Sequence, residues 1–264
     1  MKIASWNVNS LNVRLPHVQR WCAEAQPDVL ALQETKLADE KFPREAFAEL
    51  GFQCAFAGQK TYNGVAILSR EPLREIVTDV AGLEDPARRI LAASIGEGER
   101  AVRIIDLYVV NGQAVDSDKY AHKLRWLTHV TGFLREQLAQ YPRTVVLGDF
   151  NIAPEDRDVH DPEAWREQVL CSTPERDALR GILGLGFTDS FRALNAEAGH
   201  YSWWDYRQGA FRRNLGLRID LVLVSAALNA KLKSATIDRI PRTWERPSDH
   251  VPVMIEIDGT DQHG

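Results

Sequence analysis

Short apolar runs alternate with a few amphipathic stretches along this chain of 264 residues, and that alternation limits what it can fold into. Ile3–Val8, Val29–Gln33, Gly64–Ser69, Ile90–Ile95, Val102–Val110 and Thr144–Leu147 read as strands, as do Gly216–Ser225 and Val251–Ile257, all rich in Val, Ile and Leu. The clearest helix runs from about Ser117 to Gln140. There Tyr120, Leu124, Leu127, Val130, Leu134 and Leu138 recur at three- and four-residue steps, behind a capping Ser117. A shorter helix, roughly Leu15–Ala25, carries Val18, Trp21, Cys22 and Ala25 on one face, and a third follows Thr173-Pro174 through Leu179, Ile182 and Leu183. Many strands with few helices predict two packed sheets with helices outside, rather than an alternating parallel array. No linker, low-complexity tract or short repeat interrupts the pattern, so residues 1–257 are expected to form one domain, with 258–264 as a polar tail.

Composition narrows the class. Apolar residues make up 44% and charged residues 26%, ordinary for a soluble globular protein. No apolar run approaches the length of a membrane span, and Met1-Lys2-Ile3-Ala4-Ser5-Trp6-Asn7 enters a strand pattern with no signal-peptide core. Cys22, Cys54 and Cys171 are odd in number and widely spaced, which points to reduced thiols and a cytoplasmic protein. The net charge of −5 argues against a general polyanion binder, but a carboxylate-rich metal site coexists with a local basic surface in many proteins.

Four motifs put a polar side chain at one end of an apolar run: Leu32-Gln33-Glu34-Thr35, Leu147-Gly148-Asp149-Phe150-Asn151, Arg218-Ile219-Asp220-Leu221 and Ser248-Asp249-His250-Val251. Acidic groups beside buried strands are costly unless paired or metal-bound. Asn7, Glu34, Asp149 and Asn151 follow their runs, whereas Asp220 and Asp249-His250 precede theirs. In antiparallel pairs the start of one strand lies beside the end of its neighbour, so all seven can gather on one rim.

Each residue has a plainer reading: Glu34 as an exposed strand-end carboxylate, Asn7 and Asp149 as turn formers. Clustered, Glu34 suits a hard oxygen ligand for Mg²⁺ or Mn²⁺, and Asn7 would hold that carboxylate or contact the ion. Asp149 fits a base that positions water, and Asn151 a donor to developing oxyanion charge. Asp220 and Asp249-His250 suggest an imidazole oriented by a carboxylate. No Gly-x-Ser-x-Gly elbow and no cysteine nucleophile motif is present, so attack by metal-activated water fits better than covalent catalysis. Asp156-Arg157-Asp158-Val159-His160-Asp161 lacks EF-hand spacing and reads as a solvated loop. Gly199–Arg207, with Tyr201, Trp203, Trp204 and Tyr206, is either core or a stacking platform. Arg207, Arg212, Arg213 and Arg218 close by favour a nucleic-acid surface.

Taken together these motifs resemble the exonuclease III branch of the endonuclease/exonuclease/phosphatase superfamily, over essentially the whole chain from Lys2 to about Ile257. Trp6-Asn7-Val8-Asn9-Ser10, Gln33-Glu34-Thr35-Lys36, Tyr108-Val109-Val110-Asn111-Gly112, Gly148-Asp149-Phe150-Asn151, Trp203-Trp204-Asp205-Tyr206-Arg207 and Ser248-Asp249-His250 carry the likeness in order. The resemblance implies a four-layered α/β sandwich, two packed mixed sheets flanked by helices. It implies a Mg²⁺-dependent monomer, with Mn²⁺ able to substitute, that cleaves double-stranded DNA 5′ to abasic sites and trims blocked 3′ ends.

It further implies Glu34 as the main metal ligand, with Asn7, Asp249, Asp149 and Asn151 beside it. Asp149 positions or deprotonates the water, Tyr108 and Asn111 contact the scissile phosphate, and His250, held by Asp220, binds a phosphate oxygen. Trp203, Leu217 and Ile219 match the pocket for an extruded abasic sugar, with Leu217 where many relatives carry a larger Trp. Leu215 stands where an arginine often precedes the glycine. Arg88, Arg89, Lys119, Lys123, Arg207, Arg212, Arg213 and Arg218 are the expected contacts to the DNA backbone. Two rivals share parts of this pattern. A phosphoesterase for a small molecule or lipid head group would use the same metal site. A non-enzymatic DNA-binding module would have no reason to place three carboxylates against a phosphate.

Overall fold

In the computed structural model, which describes residues 1–80, 82–83 and 86–258, the apolar runs become β1 (Lys2–Asn7), β2 (Val29–Gln33), β3 (Gln53–Ala57), β4 (Val65–Ser69), β5 (Arg74–Val77), β6 (Ile90–Ile95), β7 (Val102–Tyr108), β8 (Thr144–Asp149), β9 (Phe187–Asp189), β10 (Asp220–Ser225), β11 (Leu232–Ile237) and β12 (Val253–Ile257). Helices α1 (Leu11–Ala25), α2 (Arg44–Ala48), α3 (Asp118–Gln140), α4 (Thr173–Leu183), α5 (Ser190–Leu194) and α6 (Ala226–Asn229) connect them. The strands form two six-stranded sheets, ordered β11-β12-β1-β2-β4-β3 and β5-β6-β7-β8-β10-β9.

Each sheet is antiparallel except at its centre, where β1 pairs parallel with β2 and β7 with β8. A parallel pair needs a long crossover, supplied by α1 in one sheet and α3 in the other. Alternate side chains of each strand divide between two cores. Ile3, Val29, Ala31, Val145, Leu147 and Val222 meet between the sheets. Leu30 and Leu32 face outward to Val18 and Trp21 of α1. Val146 faces outward to Leu127, Val130 and Leu134 of α3. The result is the expected four-layered α/β sandwich. Coverage of both faces explains why the central strands read as unbroken apolar runs.

The departures are local. The first helix begins at Leu11, not Leu15, and contains Pro16. Fully buried Leu11 anchors its first turn, and Ser10 and Leu11 donate backbone bonds to Glu34 and Thr35, which outweighs the one bond proline removes. Strands β3, β5, β9 and β11 were not foreseen; β3, β5 and β11 carry mixed polar residues and part of their surface is open to water. The run expected from Gly216 pairs as a strand only from Asp220, because Leu217 bridges instead to Val159 and Trp203. The three cysteines are free, and burial pushes each thiol up to about 12, leaving them unreactive. No helix of the described residues is long and apolar enough to cross a membrane. Of the expected polar tail, 259–264 lie outside the described residues.

Candidate active site

Register alone brings the strand-end residues together. Asn7 ends β1 opposite Gln33, whose successor is Glu34; Tyr108 ends β7 opposite Asp149; and Asp220 opens β10 opposite the same Asp149. The β7–β8 approach requires glycine at 148, where a Cβ would lie 1.9 Å from the Leu107 carbonyl oxygen and φ is +140°. Three further rim residues, Asn9, Glu34 and Asn151, hold positive φ of 43°, 52° and 48°. Backbone held in this region concentrates at functional sites.

Asn7 sits on the seam between the sheets. Its buried amide nitrogen donates to Glu34 Oε1 at 3.0 Å and to Asp149 Oδ2 at 2.9 Å, while its Oδ1 accepts from the Asn9 backbone. Asn7 thus ties a carboxylate of each sheet to the seam. Lys36 approaches the other Glu34 oxygen at 3.0 Å. Asp149 Oδ1 accepts from the Asn151 backbone at 2.9 Å. The Asn151 side chain is turned to the Val109 carbonyl, and its Oδ1 accepts from Asn111.

His250 has the oriented imidazole that the sequence suggested. Nδ1 lies 2.9 Å from Asp220 Oδ2, and Nε2 faces Asp149 Oδ2 at 3.7 Å. Ser202, with no signal in the sequence, donates to Asp220 and accepts from the backbone amides of Ile219 and Asp220. Burial opposes charge on His250, but Asp220 and Asp149 more than reverse it and lift the imidazole to about 10. Burial raises Asp149 to about 7, against the pull of His250. Burial, reinforced by Glu34 and Asp149, pushes Tyr108 well above its ordinary value, so its phenol keeps its proton. Arg89 stacks over the Tyr108 ring at 4.6 Å.

These groups open on a cavity of about 180 Å³ lined by Glu34, Tyr108, Asn111, Asp149, Asn151, Asp249 and His250 on its polar side, and by Leu170, Trp203 and Ile219 on the other. Glu34, Asp149 and His250 each present a ligand atom within 4.8 Å of the others. Two carboxylates in a site rich in hard oxygen suit a small divalent cation, and His250, tied to Asp220, is left to face an anion. Asp249 borders the same cavity but stands outside that compact group. Its oxygens accept from Asn9 at 3.0 Å and from the Trp203 indole at 2.9 Å. A cleft of about 470 Å³ beside Met1, Asp28, Arg70 and Arg143 is larger, but no compact group of potential ligands lies there among the described residues.

Several expectations need correction. Leu217 does not line the cavity; it is fully buried behind it, packed with Val159, Leu170 and Ile219. Asp156–Asp161 is neither a metal cluster nor a purely solvated loop. Asp158 is fully buried and pairs with Arg218 at 2.7 Å and with Arg192. Arg218 also pairs with Asp189 at 2.7 Å, so it is unavailable to DNA, as is buried Lys123, which meets Glu175 at 2.5 Å. Arg207 is exposed but paired with Asp205. Arg88, Lys119, Arg212 and Arg213 are exposed. The aromatic stretch divides: Tyr201 and Trp204 are core, Trp203 borders the cavity, and Tyr206 is half exposed. Sequence reading missed Leu170, Lys36 and Ser202.

Residues 4–250 match the model of the endonuclease/exonuclease/phosphatase family. The chain belongs to that family. It is a nuclease of the DNA-repair type. Among its relatives, the exodeoxyribonuclease III of Haemophilus influenzae is 33% identical, over 97% of this chain and all of the relative. The Neisseria 3′ phosphatase NExo, solved with a product DNA hairpin, is 48% identical with a TM-score of 0.95, over 98% of this chain and 99% of that one. An AP endonuclease from Archaeoglobus fulgidus is 36% identical with a TM-score of 0.92, over 98% and 99% of the two chains.

Proposed function

We propose that this nuclease acts on duplex DNA with Mg²⁺, which Mn²⁺ can replace, hydrolysing phosphodiesters 5′ to abasic sites and at blocked 3′ ends. The observation that carries the reading is the convergence of Glu34, Asp149 and His250 on one small cavity, with Asn7 fixing the two carboxylates across the sheet seam. A cation held by Glu34 and its neighbours would neutralise phosphate charge and polarise the bond to be cleaved.

The chain's own residues supply the rest. Asp149 stands ready to take a proton from an attacking water. His250, its Nδ1 on Asp220, has Nε2 left at the cavity to donate to a phosphate oxygen, and the Tyr108 phenol offers a second donor. A groove of about 540 Å³ shares Asn111 with the cavity and runs past Arg89, Gly112, Lys119 and His122, a path for the DNA backbone. Backbone contacts of this kind position a duplex without reading its sequence. The protein works as a monomer in the cytoplasm.

Duplexes bearing either a stable abasic analogue or a 3′-phosphate, assayed with Mg²⁺ and with chelator, test the reading. Activity on DNA that vanishes with chelator is expected, and Glu34→Ala should need at least about tenfold more Mg²⁺. Inactivity on both duplexes at every metal concentration would sink the proposal. An unchanged metal requirement in the variant would remove Glu34 as ligand.

A further inference from the structure

We propose that Asp106 is a positioning residue for the metal site: with Gln33 and Ser5 it bridges the two sheets behind the cavity and holds Glu34 in place against Asp149. The inference rests on the nuclease reading above, and within it on Glu34 as a ligand. All three side chains are fully buried. Ser5 stands on β1 and Gln33 on β2, whereas Asp106 belongs to β7 of the other sheet. Gln33 Nε2 donates across the seam to Asp106 Oδ1 at 2.7 Å, and within its own sheet to Ser5 Oγ at 3.0 Å.

Strand period ties this trio to the site. Side chains alternate in direction along a strand, so Ser5 shares a face with Asn7, and Asp106 with Tyr108. Gln33 ends β2 opposite Asn7 and immediately precedes Glu34. Each member of the trio therefore lies directly behind one residue of the site. Glu34 leaves the strand at φ of +52°, and its carbonyl accepts from Ser10. Where it stands relative to the other sheet is set by where β2 ends. Asn7 joins the sheets in front, through Glu34 and Asp149, and Asp106 joins them one layer behind.

Stability does not require this chemistry. The inter-sheet core behind the trio is apolar, with Ile3, Ala31, Ile104 and Val145. Apolar side chains of matching shape would fill the trio's layer at little or no cost. Asp106 Oδ2, by contrast, is buried with no hydrogen-bond partner among the described residues, a penalty of about 1–3 kcal/mol. Burial pushes the carboxyl well above its ordinary value, so the bridge is a neutral acid that adds no charge behind Glu34 and Asp149. What a buried polar network supplies in return is a single fixed arrangement. Metal ligands depend on such support, and losing a supporting partner costs about 10–100-fold in affinity or activity.

The test titrates Mn²⁺ into DNA-free wild type, Asp106→Val, Asp106→Asn and Gln33→Met, counting free Mn²⁺ by electron paramagnetic resonance, with a denaturant midpoint for each protein. Asp106→Val and Gln33→Met should weaken Mn²⁺ binding by at least about tenfold, whereas Asp106→Asn, which keeps a neutral acceptor, should stay within about twofold of wild type. If Asp106→Val fails to fold, Gln33→Met decides. Unchanged binding in either folded apolar variant, or an asparagine variant as weak as the valine one, overturns the assignment while leaving the nuclease reading in place. A wild type that binds no Mn²⁺ removes the metal site and this inference together.

Discussion

The two walls of the cavity are built on different principles. The polar wall is a product of strand register: Asn7, Tyr108, Asp149 and Asp220 end or begin hydrogen-bonded strands, so their positions follow from pairing. The apolar wall of Leu170, Trp203 and Ile219 is carried by the connections after β8 and before β10. What fixes those connections is a buried charge lattice, in which Arg218 joins Asp158 on one connection to Asp189 at the end of β9. One wall is rigid because sheets are rigid. The other is held by ion pairs together with isolated bridges and apolar packing.

The contrast can be broken from either side. Asp149→Asn strikes the polar wall at its centre and should cost ~10²–10⁴-fold in rate while DNA binding persists, measured by single-turnover cleavage beside a gel-shift titration. Near-normal turnover would remove Asp149 as base. Arg218→Ala should cost up to about 3–5 kcal/mol in stability, because it removes the ion-pair partner of Asp189 and one of the two that fully buried Asp158 has; a denaturant midpoint reads it. A loss below about 1 kcal/mol would mean that the apolar wall stands without the lattice.

Asp220→Asn should lower the rate by about 10²-fold. The sign with pH follows from His250, whose folded pKa Asp220 raises to about 10 against the effect of burial. Without that carboxylate the imidazolium loses its proton at lower pH, so the defect should deepen as pH rises from 6 to 9. A pH-independent defect would separate Asp220 from the charge on His250. The smallest effect belongs outside both walls. Lys119→Ala should weaken DNA binding a few-fold and reduce the salt slope by about one. An unchanged slope would take Lys119 out of the backbone path.

The polar wall was legible in the sequence, because apolar runs with acidic ends report both the strand and what its end is for. Strand-end position alone puts Glu34, Asp149, Asp220 and His250 on one rim, and the antiparallel pairing of β8 with β10 explains why some motifs follow their strands and others precede them. The apolar wall was not legible. Leu217 sits in a suggestive Gly216-Leu217-Arg218 context yet is walled in, whereas Leu170 lies in an unpatterned connection held by Ala153 before it and by Leu217 and Ile219 far along the chain. Charge was misread for the same reason: Lys123 and Arg218 look like surface cations until their partners Glu175, Asp158 and Asp189 arrive through tertiary packing.

The Asn7 amide has a consequence for how this chain becomes an enzyme. It clasps Glu34 of one sheet and Asp149 of the other, and the sheet bearing Glu34 is completed only when β12, the last strand, adds beside β1. His250 too arrives just ahead of that strand. A chain still emerging from the ribosome therefore carries all its separate catalytic groups except the last few, yet owns no assembled blade. Its power to cut DNA waits for β12 to pair with β1.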